Sequence, residues 1–480
     1  MPALRLDRLP PAAVRVLRVV LDAGRDRSPM LVGGAVRDAR LTRARRGATD
    51  VDVTVTHGAL EVGRRVADAL RGAFVELDGE RGAARVIVDG ARLDVTDLRA
   101  ATLEDDLALR DYTVNALAVS LADLVTRGRA RIVDPTGGLT DLAARRLRAP
   151  ASRVLRDDPL RAMRGVRFES ELGLRLTPGA TQAIRAVAPA LASVSPERVR
   201  DELLLVLRLP DTERALRRLD ALGLLAVVFP EIEPMRVTAQ PAPHRFTVLE
   251  HSLRAVGGAD RLLAQVGALA PFGDELATHL DETVGGGIDR RQMLKLAALL
   301  HDVSKPETRR RVGGRIRFFE HDTIGAARAR AIGERLRLPE RAIALLERLV
   351  RHHLRTMHLG QAGEVTRRAR YRFFRDLMED ARDLLLLTLV DAAAVTGESP
   401  HVTWRRAALV RDLLGGWREE QEIAHAPPLV RGEDVMRRFD LPPGPAVGEL
   451  LRRAREAQDL GLVRTRDEAL AFLDSAASGS

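Results

Sequence analysis

The residues best suited to chemistry lie between Leu31 and Asp52, in L-V-G-G-A-V-R-D followed by the strand-like T-D-V-D-V-T-V. Side chains alternate along a strand, so Asp50 and Asp52 project to one side. Carboxylates held that close repel each other unless a cation sits between them. Hard, oxygen-liganded Mg²⁺ suits the pair, above all when a triphosphate supplies the remaining ligands. Gly33 and Gly34 carry no Cβ and let backbone N–H groups approach phosphate. The competing reading is a surface turn followed by an exposed strand with two solvated acids.

Four further segments bear on the same chemistry. In D-L-A-L-R-D-Y-T-V-N-A-L (106–117), helical spacing brings Arg110, Asp111, Val114 and Asn115 together. Arg there suits phosphate, and Asp and Asn suit sugar hydroxyls; an amphipathic helix with an internal ion pair is the alternative. V-D-P-T-G-G-L-T-D-L (133–142) reads as a turn into a helix with a structural, domain-joining role. V-L-R-D-D-P-L-R-A-M-R-G-V-R-F (154–168) places Asp158, Arg161, Met163, Arg164 and Arg167 as a stripe on one helix face. A carboxylate and a guanidinium one turn apart can present acceptors and donors to the edge of a base, although surface ion pairs of that spacing usually contribute little. In S-P-E-R-V-R-D-E-L (195–203), Ser195 as N-cap and Pro196 at the first helical position predict a well-capped structural helix.

The histidines concentrate elsewhere. F-T-V-L-E-H-S-L is followed by L-A-A-L-L-H-D-V-S-K-P, F-F-E-H-D-T-I-G-A, V-R-H-H-L and L-V-D-A-A-A. A lone His in an apolar helix is more often core than ligand. His301-Asp302 at the end of such a helix, with His251 before and Asp391 after, points instead to a divalent metal.

The elements that must position these groups fall into distinct regions. Residues 11–130 alternate strand-like and helix-like patterns, with helical spacing from Leu60 to Leu70 and a hairpin predicted around Asp89-Gly90. Helices dominate from about 140, interrupted at Pro150, Pro178, Pro196 and Pro210. A second helical region runs from about 244 to 400, with a Gly-rich, acidic stretch at 281–288 that reads as a flexible insertion. Turn-rich A-P-P-L-V-R-G and L-P-P-G-P-A-V-G precede a basic helix and a short helical tail.

Composition narrows the class. The 480 residues carry a net charge of +10, almost all of the basic residues being arginine, with Lys295 and Lys305 the only lysines. An Arg-rich, net-positive chain fits a polyanionic partner. Aromatics make up only 3%, which argues against base-stacking platforms and for recognition of a folded RNA by shape and charge. Without cysteine there is neither a disulfide nor a thiolate zinc site. No long uncharged apolar segment and no signal-like N-terminus are present, which predicts a cytoplasmic chain.

The Gly-Gly turn and D-x-D strand are similar to the nucleotide-holding unit of polymerase-β-like nucleotidyltransferases. The five segments, in this order, resemble the bacterial tRNA nucleotidyltransferase/poly(A) polymerase family of CCA-adding type, over roughly residues 30–240 and more loosely the tail. The resemblance implies an α/β nucleotidyltransferase head at 1–140, a helical neck at 141–240, an HD domain at 241–400 and an RNA-binding helical tail at 401–480. It assigns Gly33, Gly34, Arg37, Asp38, Asp50 and Asp52 to nucleotide and Mg²⁺. Arg110, Asp111 and Asn115 fall to the ribose, with Leu109 replacing the motif's first Arg. Asp158 and Arg161, with Arg164 beside them, fall to the incoming base, and Asp157 replaces the usual Glu. The substrates implied are CTP, ATP and tRNA. The family's longer loop before the ribose motif is shortened here, D-V-T-D-L-R running almost directly into T-L-E-D-D-L, as in members that add only CC. Asp94 is a candidate third carboxylate at the metal site. The histidine region resembles the HD phosphohydrolase superfamily, which implies His251, His301, Asp302 and Asp391 as ligands, with His321, His352 and His353 available for a second metal. Ser304 stands where many of its members have Gly. Poly(A) polymerase is the near alternative, and an HD phosphohydrolase with an RNA-binding head the distant one.

Overall fold

The computed structural model describes residues 2–41, 49–361, 363–425 and 427–477. Residues 42–48, between the Gly-Gly segment and the D-x-D strand, lie outside them. The chain divides into two compact units, residues 1–203 with 217–228, and 204–216 with 229–480.

The first unit is built on a mixed sheet of eight strands: β1 (Ala3–Arg5), β2 (Met30–Val32), β3 (Thr49–Val55), β4 (Ala73–Asp78), β5 (Ala83–Val88), β6 (Ala91–Asp97), β7 (Ala118–Ser120) and β8 (Arg129–Val133). Their spatial order is β1-β8-β7-β2-β3-β6-β5-β4. Only β3 and β6 are parallel neighbours; the Ala59–Leu70 helix lies between them in sequence. Alternation along β3 decides which face does what. Val51, Val53 and Val55 join a buried cluster with Val16, Leu17 and Val20 of the Pro11–Ala23 helix and Val62 and Val66 of the Ala59–Leu70 helix. Burying each such side chain contributes roughly 1.5–3 kcal/mol. Asp50, Asp52 and Thr54 therefore take the other face, and a one-residue slip would drive both carboxylates into the core. The predicted hairpin forms from β5 and β6, with Gly90 supplying a positive φ of 76° in the two-residue turn.

Two expectations for this unit fail. Residues 106–117 are not one helix: the Leu103–Ala108 helix stops at Leu109, and only a short 3₁₀ turn, Thr113–Asn115, follows. Tyr112, Thr113 and Val114 are poor helix formers, and non-local bonds claim them. The Thr113 N–H donates to the Arg148 carbonyl and its hydroxyl to Asp141, at 2.9 and 2.8 Å. The stripe at 154–168 is also broken. Pro159 separates helices Arg153–Asp157 and Leu160–Leu172, Asp158 sits in extended backbone between them, and Met163 is fully buried. The 133–142 segment is structural as expected, since Asp134 accepts from the N–H groups of Gly138 and Leu139 at 2.7 and 2.9 Å.

The second unit is helical. Helices Val248–Ala264, Arg290–Leu300, Glu340–His352 and Ala381–Thr396 carry its core. A capping box between Asp289 and Gln292 starts the second of them. The Gly-rich 281–288 stretch is an ordered turn rather than a flexible insertion. Val284 donates to the Ile288 carbonyl at 2.8 Å, and both side chains are buried. The tail helices Gly432–Phe439, Pro445–Asp459 and Arg466–Ala477 share a small core of their own. Among the described residues no helix is long and apolar enough to cross a membrane.

Candidate functional site

The head site forms where β2, β3, β6 and the Arg110–Asn115 turn meet. β2 ends at Val32, opposite Asp52 on β3, and Asp52 pairs in register with Asp94 on β6. Three acids thus line one sheet face. Asp50 holds Arg92 at 2.9 Å, and Asp94 holds Arg85 through two bonds of 2.8 Å. Burial pushes the Asp52 carboxyl above its ordinary value; Arg110 opposes this, while Asp94 and Asp50 add to it. A site that raises a carboxyl in this way is one that a cation relieves.

Gly33 closes the same space. Its φ is +71°, and a Cβ there would stand 3.4 Å from both the Asp52 carboxylate and the Arg110 guanidinium. The absent side chain leaves a cradle between an anion and a cation, at the start of the Gly34–Leu41 helix. Arg110 is fixed by donating to Thr54 Oγ1 at 3.1 Å and lies 3.5 Å from Asp106.

Arg37 and Asp38 serve differently from Arg110. The Arg37 guanidinium is buried, donates to Asp38 at 2.7 Å and to Asn115 Oδ1, and lies 5.6 Å from the Phe168 ring centre. Asn115 passes the connection on, donating to Asp111 at 3.0 Å. Asp111 also accepts from Arg164 at 2.9 and 2.7 Å and from the Tyr112 N–H at 2.8 Å. Burial works against its charge, yet Arg164, Asn115 and that N–H outweigh it and hold Asp111 down to about 2. Arg37, Asp38, Asn115, Asp111 and Arg164 are therefore one connected network beneath the cradle.

Asp158 and Arg161 face each other at 3.7 Å, both partly exposed. Arg161 donates to the carbonyls of Leu109 and Val154 at 3.0 and 3.2 Å, which fixes its guanidinium. Arg198, from the helix that Pro196 begins, holds Asp158 at 2.8 Å. Sequence reasoning missed Arg198 because its motif carries no signal beyond a well-capped helix. It missed Arg92 and Arg85 because strand pairing alone brings them to the acids.

The histidine cluster is largely buried, only Asp391 being partly exposed, at 27%. His251 comes from the Val248–Ala264 helix, His301-Asp302 from the end of Arg290–Leu300, and Asp391 from Ala381–Thr396. His321 opens the His321–Arg335 helix, and His353 follows Glu340–His352. Donor atoms of His251, His301 and Asp391 lie within 4.8 Å of one another, as do those of Asp302, His321 and His353. Asp302 joins the two groups: one oxygen is 3.3 Å from His301 Nε2, and the other is 3.6 and 3.5 Å from the Nε2 atoms of His321 and His353. His301, His321 and His353 each have Nδ1 at 3.0, 3.0 and 2.7 Å from the carbonyl three residues earlier. Donating there turns the Nε2 lone pairs inward, the usual support for a ligating imidazole.

The donor set fits a divalent cation on a direct observation. Nε2 of His321, Nε2 of His353 and Oδ1 of Asp302 are buried without a hydrogen-bond partner, an arrangement that costs stability unless something is bound. The field agrees: burial disfavours a charged imidazole at His301, but Asp302 and Asp391 overcome it and push His301 up to about 10. His352 does not join the cluster. It lies one residue off the inward face, and burial, with Arg355 next, pushes it down to about 4. Ser304 donates its hydroxyl to the His321 carbonyl at 2.5 Å and so helps to place a ligand. Lys305, 2.6 Å from Asp302, and His244, its ring 5.0 Å from that of His251, were not singled out by the sequence.

Comparison with known proteins agrees with this arrangement. The model of the poly A polymerase head domain matches residues 30–148, that of the probable RNA and SrmB-binding site of polymerase A matches 173–236, and that of the HD domain matches 248–393. An A-adding tRNA nucleotidyltransferase of Deinococcus radiodurans is 39% identical over 92% of this chain and 94% of its own. A CC-adding tRNA nucleotidyltransferase of Thermus thermophilus is 34% identical over 92% of each. A solved complex of a CCA-adding enzyme with ATP shares the fold with a TM-score of 0.62 at 18% identity, covering 99% of this chain and 96% of its own. With the acids of β3 beside a glycine cradle and the HD cluster behind three matching models, the chain belongs to the tRNA nucleotidyltransferase/poly(A) polymerase family.

Proposed function

We propose that this enzyme transfers nucleotides from CTP or ATP to the 3′-hydroxyl of tRNA without a nucleic-acid template, and that its product is the CC end. The observation that carries the transfer reading is the Gly33 cradle between Asp52 and Arg110. The triphosphate lies in that cradle, its charge met by Arg110 and by the N-terminus of the Gly34–Leu41 helix. Asp50 and Asp52 would hold Mg²⁺, which when bound supplies the positive charge that phosphoryl transfer requires. The tRNA 3′-oxygen attacks the α-phosphorus in line, loses its proton and displaces pyrophosphate. Asp158 and Arg161 present an acceptor and a donor to the base, and Arg198 and the Leu109 carbonyl keep them in place. Arg37, Asn115, Asp111 and Arg164 hold the floor of the site rigid. The functional division follows the 1–140, 141–240, 241–400 and 401–480 regions, with neck and tail gripping tRNA through backbone contacts in the cytoplasm.

Product length is where two observations diverge. Only Leu98–Thr102 joins β6 to the Leu103–Ala108 helix, too short for the family's longer loop, and this supports CC. The 39% identity to an A-adding relative supports terminal A. Incorporation on tRNAs ending at the discriminator base, at C and at CC, with CTP and ATP offered separately and together, decides it. CTP addition that stops at CC is the expected result. ATP addition only to the CC-ending tRNA establishes A-addition, and long ATP tails establish a poly(A) polymerase.

The histidine cluster is proposed as a second, phosphohydrolase centre, with His251, His301, Asp302 and Asp391 as ligands and His321 and His353 completing a second position around Asp302. Lys305 holds the shared carboxylate in place.

A further inference from the structure

The sheet face that carries the acids of β3 continues past them, on the side away from the Gly33 cradle. Strands β2, β3, β6, β5 and β4 are consecutive in the sheet. Gly33 follows β2, whereas β6 sets Arg92 beside Asp50 and Asp94 beside Asp52. Register then places Ile87 of β5 directly across from Arg92, Arg85 across from Asp94, and Val75 of β4 across from Arg85. Directly opposed residues share a face, and the other face is the core, where Val86, Leu93 and Val95 are buried. The face shared with the acids is open: Arg92 is 46%, Ile87 48% and Val75 41% exposed. With strands about 4.8 Å apart, β6 stands about 10 Å from β2 across the acids.

The two arginines of this flank are held differently. Arg85 is committed to Asp94 through two bonds of 2.8 Å. Arg92 stands at 2.9 Å on Asp50, the more exposed carboxylate and a proposed Mg²⁺ ligand. Mg²⁺ on Asp50 would compete with that guanidinium and leave it to meet another anion. In-line transfer says which anion arrives there. The attacking oxygen must lie across the α-phosphorus from the leaving pyrophosphate, so with the triphosphate in the Gly33 cradle the RNA end enters from the β6 side. A guanidinium suits its phosphate, and the exposed Ile87 beside it offers an apolar surface to a nucleoside, which a bare anion does not need.

We propose that Arg92 positions the attacking RNA, its guanidinium passing from Asp50 to the phosphate that joins the last two nucleotides of the 3′ end. The inference rests on the transfer reading of the head site.

The test uses the full chain with Mg²⁺ and tRNAs ending at the discriminator base, at C and at CC. In each, the last internucleotide phosphate is either natural or replaced by an uncharged methylphosphonate. Binding is read by fluorescence anisotropy with α,β-methylene-CTP or α,β-methylene-ATP present, and transfer by incorporation. For the unaltered enzyme the neutral linkage should raise Kd and KM for tRNA by about tenfold, the scale of one charge-assisted contact, and leave the KM for the nucleotide unchanged. R92A should show the same rise on natural tRNA and no further rise on the neutral one, because the contact is already gone. The salt dependence of log Kd should flatten by about 0.7 in R92A, one phosphate contact on a single strand. Indifference of the unaltered enzyme to the methylphosphonate overturns the proposal, and that result needs no variant to fold. Penalties that add in R92A, or a KM change in R92A confined to the nucleotide, overturn it as well. Incorporation on none of the tRNAs by the unaltered enzyme overturns the transfer reading instead, and the anisotropy comparison then decides the Arg92 contact by the same criteria.

Discussion

The two candidate metal centres are opposites in construction. In the head, Asp50 and Asp52 come from one strand, Asp50 is 42% exposed, and arginines stand on Asp50 and Asp94. In the histidine cluster, donors arrive from five segments of the second unit, and His251, His301 and Asp302 are each 1% exposed. An open pair of carboxylates completes its coordination with substrate oxygens, as Mg²⁺ sites built for triphosphates do. A largely buried set of imidazoles and carboxylates, in which Nε2 of His321, Nε2 of His353 and Oδ1 of Asp302 have no hydrogen-bond partner, would suit a resident ion. On the proposed reading, the head would take up metal with its nucleotide, and the cluster would keep metal between turnovers.

The largest expected effect separates the two most sharply. Asp50→Ala with Asp52→Ala should lower nucleotide incorporation by about 10³-fold or more, the scale of losing transition-state charge stabilisation, while metal content measured by mass spectrometry stays at the unaltered level. Conversely, Asp302→Ala removes the carboxylate shared by both histidine groups. Bound metal should fall to background and the thermal midpoint should drop, with transfer retained at permissive temperature; metal retained at full occupancy would break the contrast. Brief chelation sharpens it further: transfer should stop at once and return with Mg²⁺ alone, whereas the cluster's metal should exchange slowly.

Smaller effects test the floor and the base-reading pair. Asp111 is held down to about 2 against an ordinary 3.8, so its contribution to stability is complete above pH 4 and is lost as pH falls toward 2. That contribution is about 2 kcal/mol, at 1.36 kcal/mol per pKa unit. Asp111→Asn should lower the unfolding free energy by that order at pH 7 and narrow the gap to the unaltered protein near pH 2, as read from denaturant curves. The smallest expected change is for Arg198→Ala, which frees Asp158 from its 2.8 Å partner. The ratio of CTP to ATP incorporation should shift by about tenfold or less, within the 1–3 kcal/mol of one base contact, with little change in total transfer.

The regions also differ in what their sequences reveal. The head's acids were readable because period-two alternation in T-D-V-D-V-T-V fixes their face before any partner strand is known. The 106–117 segment was misread as helical because what breaks the helix is distant: the Arg148 carbonyl and Asp141 claim Thr113. Arg37, assigned to the nucleotide by resemblance, is buried on Asn115, 78 positions away, a pairing no local pattern encodes. In the cluster, adjacency in His301-Asp302 was a strong signal. The choice of His353 over His352 depended on helix phase at the end of Glu340–His352, the least legible feature of a helix in sequence. Ser304 read as a departure from pattern, whereas its hydroxyl seats the His321 backbone.

The most direct test of the central claim measures incorporation on a CC-lacking tRNA and metal content in the same preparations of the unaltered enzyme, Asp50→Ala/Asp52→Ala and His301→Ala/Asp302→Ala. The account predicts a crossed pattern: the first double variant keeps its metal and loses transfer, and the second loses its metal and keeps transfer. Transfer surviving in the first, or abolished in a folded sample of the second, would contradict it.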